Sequence, residues 1–151
     1  MSQNLKPDTL PGGAPFAIGA AVVRMLREGF DSTVTVLDNP TRASDLSEGS
    51  RIVFFEDQSD KLSSQPGQSA KRIYTFVVGV INRTDDARRG AHADYRAAKR
   101  IVRASMPEIL KLVQPEGRGL VEGDVSYRLE NIDVGGGLVL GLFSLDYRDP
   151  G

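Results

Sequence analysis

A run of apolar, β-branched and aromatic residues between Lys71 and Asn82 limits the folds that this sequence can adopt. The run is KRIYTFVVGVIN, so a strand formed by it carries apolar side chains on both faces. A strand with only one covered face alternates apolar with polar residues, whereas this pattern is typical of a strand covered on both sides. The sequence therefore predicts a central strand, with helices on one face and a neighbouring subunit on the other.

Periodic patterns around this run predict the other elements. Residues 15–28 have apolar side chains at helical spacing and are followed by Gly29, as in an amphipathic helix with a glycine stop. A long helix is expected from Asp85 to about Ser105, and a short one from Met106 to Val113. Further strands are expected at 33–37, 51–56, 125–134 and 138–148. This order predicts an α+β fold: a mainly antiparallel sheet of about five strands, with one long and one or two shorter helices packed on it.

The 151 residues fit one domain, preceded by an arm. Residues 1–14 are polar and rich in Pro and Gly, so we expect a flexible N-terminal arm before a single domain at 15–151. Residues 57–70 have the same character and are expected to form a long loop between two strong strands. No apolar run is long enough for a signal peptide or a membrane span, and we expect no membrane partner.

The inventory of reactive side chains is small. The chain has no Cys and one His, which excludes disulfides, thiolate nucleophiles and His-rich metal sites. His92 and Asp94 are two residues apart on a predicted helix and so point in different directions. The glycine-rich segments lack the pattern of a phosphate-binding loop, and the acids at 56–60 lack the spacing of an EF-hand. We therefore expect no catalytic residue, cofactor or metal; an enzyme centred on His92 is the weaker alternative.

Charge is balanced overall but separated along the chain. The net charge is −1, yet residues 38–60 are mainly acidic and residues 83–111 mainly basic. Such complementary segments favour self-association. A nucleic-acid-binding module using the basic helix 88–103 is an alternative, because its cations can neutralise phosphates. Among those bases the only aromatic residue is Tyr95, which lies on the apolar stripe, so the sequence offers no stacking platform there.

The order of elements resembles the tail terminator, or tail completion, proteins of long-tailed bacteriophages. The similarity covers about residues 15–148 and is one of pattern. It rests on the first helix AIGAAVVRMLREGF leading into TVTVL, on the strand KRIYTFVVGVINR feeding the helix ARRGAHADYRAAKRIVRAS, and on the closing pair VSYRLENIDV and LVLGLFSLDYR joined by GGG.

The resemblance implies a structural virion protein that forms a ring, typically hexameric, at the head-proximal end of the tail. Such a ring caps the tail tube, stops its polymerisation and offers its other face to the head-side connector, while genome DNA passes through the lumen without sequence readout. Assembly in the host bacterial cytoplasm is also implied. Head–tail joining proteins and other proteins related to the tail tube share similar sheets and remain an alternative.

Two sets of residues are expected to make the contacts of this ring. The long loop is predicted to contact the tail tube or an adjacent subunit through Asp57, Asp60, Lys61 and Gln65. The basic face of the long helix is predicted to line the lumen or a subunit interface through Arg88, Arg89, Arg96, Arg100 and Arg103.

Overall fold

The computed structural model describes residues 12–40, 49–63, 70–111, 115–128 and 136–149. Within these ranges the chain forms three helices and five strands, in the order α1 (Gly13–Gly29), β1 (Thr35–Asp38), β2 (Arg51–Leu62), β3 (Ala70–Asn82), α2 (Ala87–Ala104), α3 (Met106–Leu110), β4 (Pro115–Arg128) and β5 (Gly137–Asp149). The predicted α+β class, with about five strands and helices packed on the sheet, is confirmed; α1 and α2 are of similar length, with 17 and 18 residues, and α3 has five.

The strands form one sheet in the order β1-β2-β3-β5-β4. β1 pairs with β2 in parallel, and the other three pairings are antiparallel. The sheet is therefore mainly antiparallel, as predicted, and its central strand β3 is the one formed by the doubly apolar run.

One face of the sheet packs against the helices and forms the main core. Tyr74, Phe76, Val78 and Val80 alternate along β3 and are buried on this face. The ring of Phe76 stacks on Phe143 of β5, with ring centroids 5.5 Å apart. This alternation places every second β3 side chain against α1 or α2 because strand side chains point to opposite faces in turn.

The opposite face holds a second, smaller apolar cluster. Ile52, Phe54, Ile81 and Leu138 are buried there, with Leu37 and Leu140 packed against them. The ring of Phe54 lies over Gly79, where an added Cβ would come within 2.2 Å of it. The single chain already buries this cluster, so no neighbouring subunit is needed to cover the sheet at this point.

The prediction of a loop at 57–70 is wrong for those residues of this range that the structure describes. β2 continues through Asp57 to Leu62, with a register irregularity between Asp57 and Ser59, and β3 begins at Ala70. The polar composition misled the prediction, because here polar side chains hydrogen-bond within a long hairpin. Residues 64–69, which include Gln65, lie outside the described residues.

Two further boundaries, the starts of α1 and β4, differ from expectation, and the end of β4 cannot be compared. α1 begins at Gly13, so the last two residues of the predicted arm are helical, while residues 1–11 lie outside the described ranges. β4 begins at Pro115, in a segment expected to be a loop. β4 is described only as far as Arg128, so the predicted continuation to residue 134 lies outside the described residues.

Candidate interaction surfaces

The far end of the β2–β3 hairpin is held by carboxylates and tyrosines. The Tyr74 hydroxyl donates a hydrogen bond to Asp57, and the Tyr147 hydroxyl donates one to Asp60 Oδ2 over 2.8 Å. Arg72 Nε also donates to Asp60 Oδ2, over 3.2 Å. We call these five residues the carboxylate–tyrosine cluster. It joins β2, β3 and β5, so it fixes the hairpin to the body of the sheet.

The hydroxyl of Tyr74 is kept protonated by its surroundings. Burial, and then the hydrogen bond to the Asp57 carboxylate, raise the pKa of Tyr74 well above its usual value. A hydroxyl that stays protonated remains a donor to that carboxylate at all physiological pH values. The cluster is therefore a permanent structural link.

The residues predicted as a contact set on this hairpin have different surroundings. Asp57 and Asp60 use their carboxylates within the chain, as acceptors in the cluster. The side chains of Lys61 and Leu62 are exposed, and Leu62 keeps 59% of its accessible surface. Asp57 is also exposed while Asp60 is half-buried, so the exposed surface of the described hairpin includes the Asp57 side chain as well as its described end. Sequence analysis missed the tyrosines of the cluster because both lie in apolar patterns that indicate a core.

Beside the hairpin, the start of α1 and the end of β1 enclose a groove of about 370 Å³. Its apolar side includes Phe16, which is 63% exposed, and Phe55, and its polar side includes Asp38 and Asp57. Asn39 adopts a positive φ of 48° and closes this end, because its Oδ1 accepts the backbone N–H of Asp57 over 2.8 Å.

The two long sides of α2 differ in chemistry. The inner side buries Ala91, Asp94, Tyr95, Ala98 and Val102. All five predicted basic residues, Arg88, Arg89, Arg96, Arg100 and Arg103, are exposed on the outer surface of the helix. The structure thus brings these five together on one element and places them away from the hairpin.

The outer side of α2 meets the edge strand β4 along a charged and aromatic line, which we call the α2–β4 seam. Glu122 of β4 lies 3.1 Å from Arg103 and 3.9 Å from Lys99. His92 stacks on Tyr127 of β4 with ring centroids 4.9 Å apart, and Tyr127 remains 52% exposed. Sequence analysis missed this pair because its two residues are far apart in the chain and only the sheet register places β4 beside α2.

On the inner side of α2, Asp94 is the centre of a buried polar network. Its carboxylate accepts Arg51 Nη2 over 2.7 Å, Arg51 Nε over 3.2 Å and Asn82 Nδ2 over 2.9 Å. The hydrogen bond to Asp94 raises the pKa of Arg51 above its usual value, so Arg51 stays charged. Asp94 therefore turns to β2 and β3, while His92 turns to β4, and the two do not form a catalytic pair.

Metal-binding and membrane-spanning features were also sought. Among the residues that the structure describes, no three His, Asp or Glu side chains are grouped closely enough to hold a metal ion. None of the described helices has the length and apolar character needed to span a bilayer.

Comparison with known proteins gives similarity in structure and none in sequence. No protein-family model matches the sequence, and a search of curated proteins finds no match. A chain of the virion of a native gene transfer agent particle aligns with a TM-score of 0.50 and 16% identity, over 89% of this chain and 97% of that one. This likeness shows a common fold.

A second solved structure aligns more weakly. The type 4 fimbrial biogenesis protein PilO from Pseudomonas aeruginosa gives a TM-score of 0.34 and 8% identity, over 95% of this chain and 75% of that one. That similarity is too low to support a shared fold.

Proposed function

We propose that this chain is a structural virion protein that acts as a tail terminator. In this function it forms a closed ring, hexameric as in the family that it resembles, on the head-proximal end of the tail. The ring stops polymerisation of the tail tube, offers its other face to the head-side connector and lets genome DNA pass through its lumen.

The observation that carries this proposal is the fold shared with the gene transfer agent chain. The alignment covers 97% of that chain and 89% of this one, so the common fold is nearly the whole of a virion component. Together with the order of elements that resembles tail terminators, it supports assembly in a phage-like particle. Fold alone does not specify function, so the specific role of a tail terminator has to be argued from the contact surfaces.

The hairpin has the properties of a preorganised contact element. The carboxylate–tyrosine cluster ties its strands to β5, so docking the hairpin on a partner costs little ordering entropy. Beyond the cluster the described end exposes Lys61 and Leu62, one cationic and one apolar side chain. We propose that these two residues contact the tail tube or the adjacent subunit, with Asp57 and Asp60 supporting them from behind.

Ring formation requires two different surfaces on each subunit. A head-to-tail contact that closes after a fixed number of copies produces a ring, and its two halves need not be alike. The hairpin is proposed as one half of this contact, and the outer side of α2 is proposed to face the lumen. The full-length protein, alone and mixed with tail tubes, is therefore expected to give a ring by native mass spectrometry. A strict monomer under both conditions would contradict the ring.

The direct test of tail termination is tail length. Particles made without this protein should carry tails of uncontrolled length under the electron microscope, because nothing then stops tube polymerisation. Tails of normal, fixed length would refute tail termination. If such tails accumulate beside filled heads without joining them, the protein is instead a head–tail joining component, the alternative left open by its sequence.

The contact residues can be tested in the same system. The variant Lys61→Glu/Leu62→Ser should fold normally and fail to cap tails, because both side chains are exposed and support no internal contact described here. Arg24→Glu is the matched control, since it reverses an exposed charge on α1. Capping that survives the hairpin variant would exclude this contact and leave the ring itself to be judged by mass spectrometry.

A further inference from the structure

We propose that the α2–β4 seam binds duplex DNA through its sugar–phosphate backbone, without reading base sequence. The proposal rests on the proposed function only for the source of the DNA, the genome that passes through the ring. Its physical basis is independent and consists of a row of cations, an excess of positive charge and a stacked pair of hydrogen-bond donors.

The cations form a row along one side of α2. Lys99 and Arg103 reach Glu122 of β4, which identifies the side of the helix that faces the seam. Arg88 and Arg96 lie four residues before and after His92, which also meets β4, so they share that side. From Arg88 to Arg103 the row extends about 22 Å along the helix axis, at 1.5 Å per residue.

Positive charge is in excess along this row. Glu122 is the acid shared by Lys99 and Arg103. In the part of the chain that the structure describes, no carboxylate lies within salt-bridge distance of Arg88, Arg96 or Arg100. Cations held close together without matching acids repel one another, and a polyanion relieves that repulsion.

His92 and Tyr127 add side-chain hydrogen-bond donors to the same line. Their rings stack with centroids 4.9 Å apart, which fixes both side chains without burying them. Tyrosine hydroxyls and other side-chain donors commonly bond phosphate oxygens and set the register of a protein on DNA. The stacked pair thus lies among the cations as a rigid donor site.

Duplex DNA fits this surface better than an acidic peptide or a second copy of the chain. A duplex carries a phosphate charge for about every 1.7 Å of its axis, so it supplies charge along the whole row. Specific readout of bases uses bidentate side chains, with Arg for guanine and Asn or Gln for adenine, so binding two duplexes of unrelated sequence tests whether these arginines read bases. α2 has the sequence ARRGAHADYRAAKRIVRA, without Asn or Gln, and its long flexible cations suit phosphate contact.

The experiment measures binding of the full-length protein to two fluorescent duplexes of unrelated sequence, between 50 and 200 mM salt. We expect equal affinity for both duplexes and a steep loss of affinity with salt. The variant Arg88→Gln/Arg96→Gln should lower the slope of log affinity against log salt by about two, and weaken binding at low salt by about tenfold or more. The control Arg24→Gln/Arg27→Gln removes the same charge from two exposed positions of α1 and should bind like the wild type.

The donor pair is tested with Tyr127→Phe, which keeps the stacked ring and removes the hydroxyl. We expect binding to weaken about fivefold with an unchanged salt slope, because a neutral donor releases no counterion. Circular dichroism and thermal melting verify that each variant folds.

Four results would overturn the proposal. The first is no binding by the wild type at 50 mM salt, and the second is an equal loss of affinity in the cation variant and its control. The third is a strong preference for one of the two duplex sequences. The fourth, measured with a single-stranded probe of the same length, is a preference for single strands that survives Arg88→Gln/Arg96→Gln. None of these bears on tail length. Scoring the same variants for capping therefore separates failure of DNA binding from failure of tail termination.

Discussion

The inner and outer sides of α2 differ in whether their charged side chains are paired. On the inner side Asp94 is 5% exposed and meets Arg51 and Asn82 in a complete network. On the outer side Arg88, Arg96 and Arg100 are exposed, and their cationic groups have no acid within salt-bridge distance in the described ranges. Charge paired in the interior stabilises one arrangement of the chain, whereas unpaired charge at the surface is available to a partner.

The largest effect should come from breaking the inner network. Asp94→Ala leaves Arg51 partly buried without its carboxylate and Asn82 without an acceptor, so it should lower the free energy of unfolding by about 3–5 kcal/mol. Denaturant unfolding measures this loss. The double variant Arg51→Met/Asp94→Leu should lose less than Asp94→Ala, because it removes both charges together. A double variant as unstable as Asp94→Ala would show that packing, and not charge, makes Asp94 important.

A smaller effect is expected where α2 packs on the sheet. An added Cβ at Gly141 would lie 1.8 Å from the hydroxyl oxygen of Tyr95. Gly141→Ala should therefore displace this tyrosine and cost about 1–3 kcal/mol of stability. Gly123→Ala in the edge strand is the matched control. Its nearest neighbour would be Leu142 Cβ at 3.1 Å, and a smaller loss is expected. Equal losses would mean that strand glycines matter here for backbone reasons alone.

The burial of Tyr95 on the inner side of α2 predicts that the folded protein loses stability at alkaline pH. Burial raises the pKa of the Tyr95 hydroxyl to about 12, above the value of about 10 in an unfolded chain. Above pH 10 the unfolded chain loses this proton more readily than the folded chain, so stability must fall as the pH rises from 10 towards 12. Below pH 10 the contribution is fully present. Tyr95 should contribute about 1 kcal/mol for each pH unit to this decline, beside the contribution of Tyr74, so the decline should be shallower in Tyr95→Phe. An equally steep decline in that variant would assign the effect to other groups.

The comparison also shows how far sequence could predict this molecule. The doubly apolar run 71–82 identifies the central strand because its pattern is local, and the stripe of α2 does the same for the long helix. The second half of β2 could not be predicted in this way. Asp57 and Asp60 look like loop residues until Tyr74 and Tyr147 of neighbouring strands lie beside them.

The candidate surfaces also divide into features that a local sequence pattern predicts and features that depend on contacts between distant elements. The arginines of α2 are exposed on the outer side of the helix, because helical spacing alone separates them from the apolar stripe, and their role at the lumen or a subunit interface stays a prediction. The stack of His92 on Tyr127 and the pairing of Arg51 with Asp94 depend on strand register, which joins residues 35 and 43 positions apart in sequence. The sequence of α2 alone places no exposed aromatic side chain beside its cations. The sheet order β3-β5-β4 brings Tyr127 of β4 next to this helix.

The smallest effect on stability should come from the outer side of α2. Arg96→Glu/Arg100→Glu changes two exposed side chains that have no described internal partner, so the free energy of unfolding should stay within about 0.5 kcal/mol of the wild type. The same variant replaces two cations with two acids on the surface that we propose for DNA. DNA binding at low salt should therefore be lost, while denaturant unfolding stays normal. A variant that unfolds normally, assembles normally and binds DNA like the wild type would show that the unpaired charge of α2 has no partner. The difference between the two sides of the helix would then be one of solvation alone.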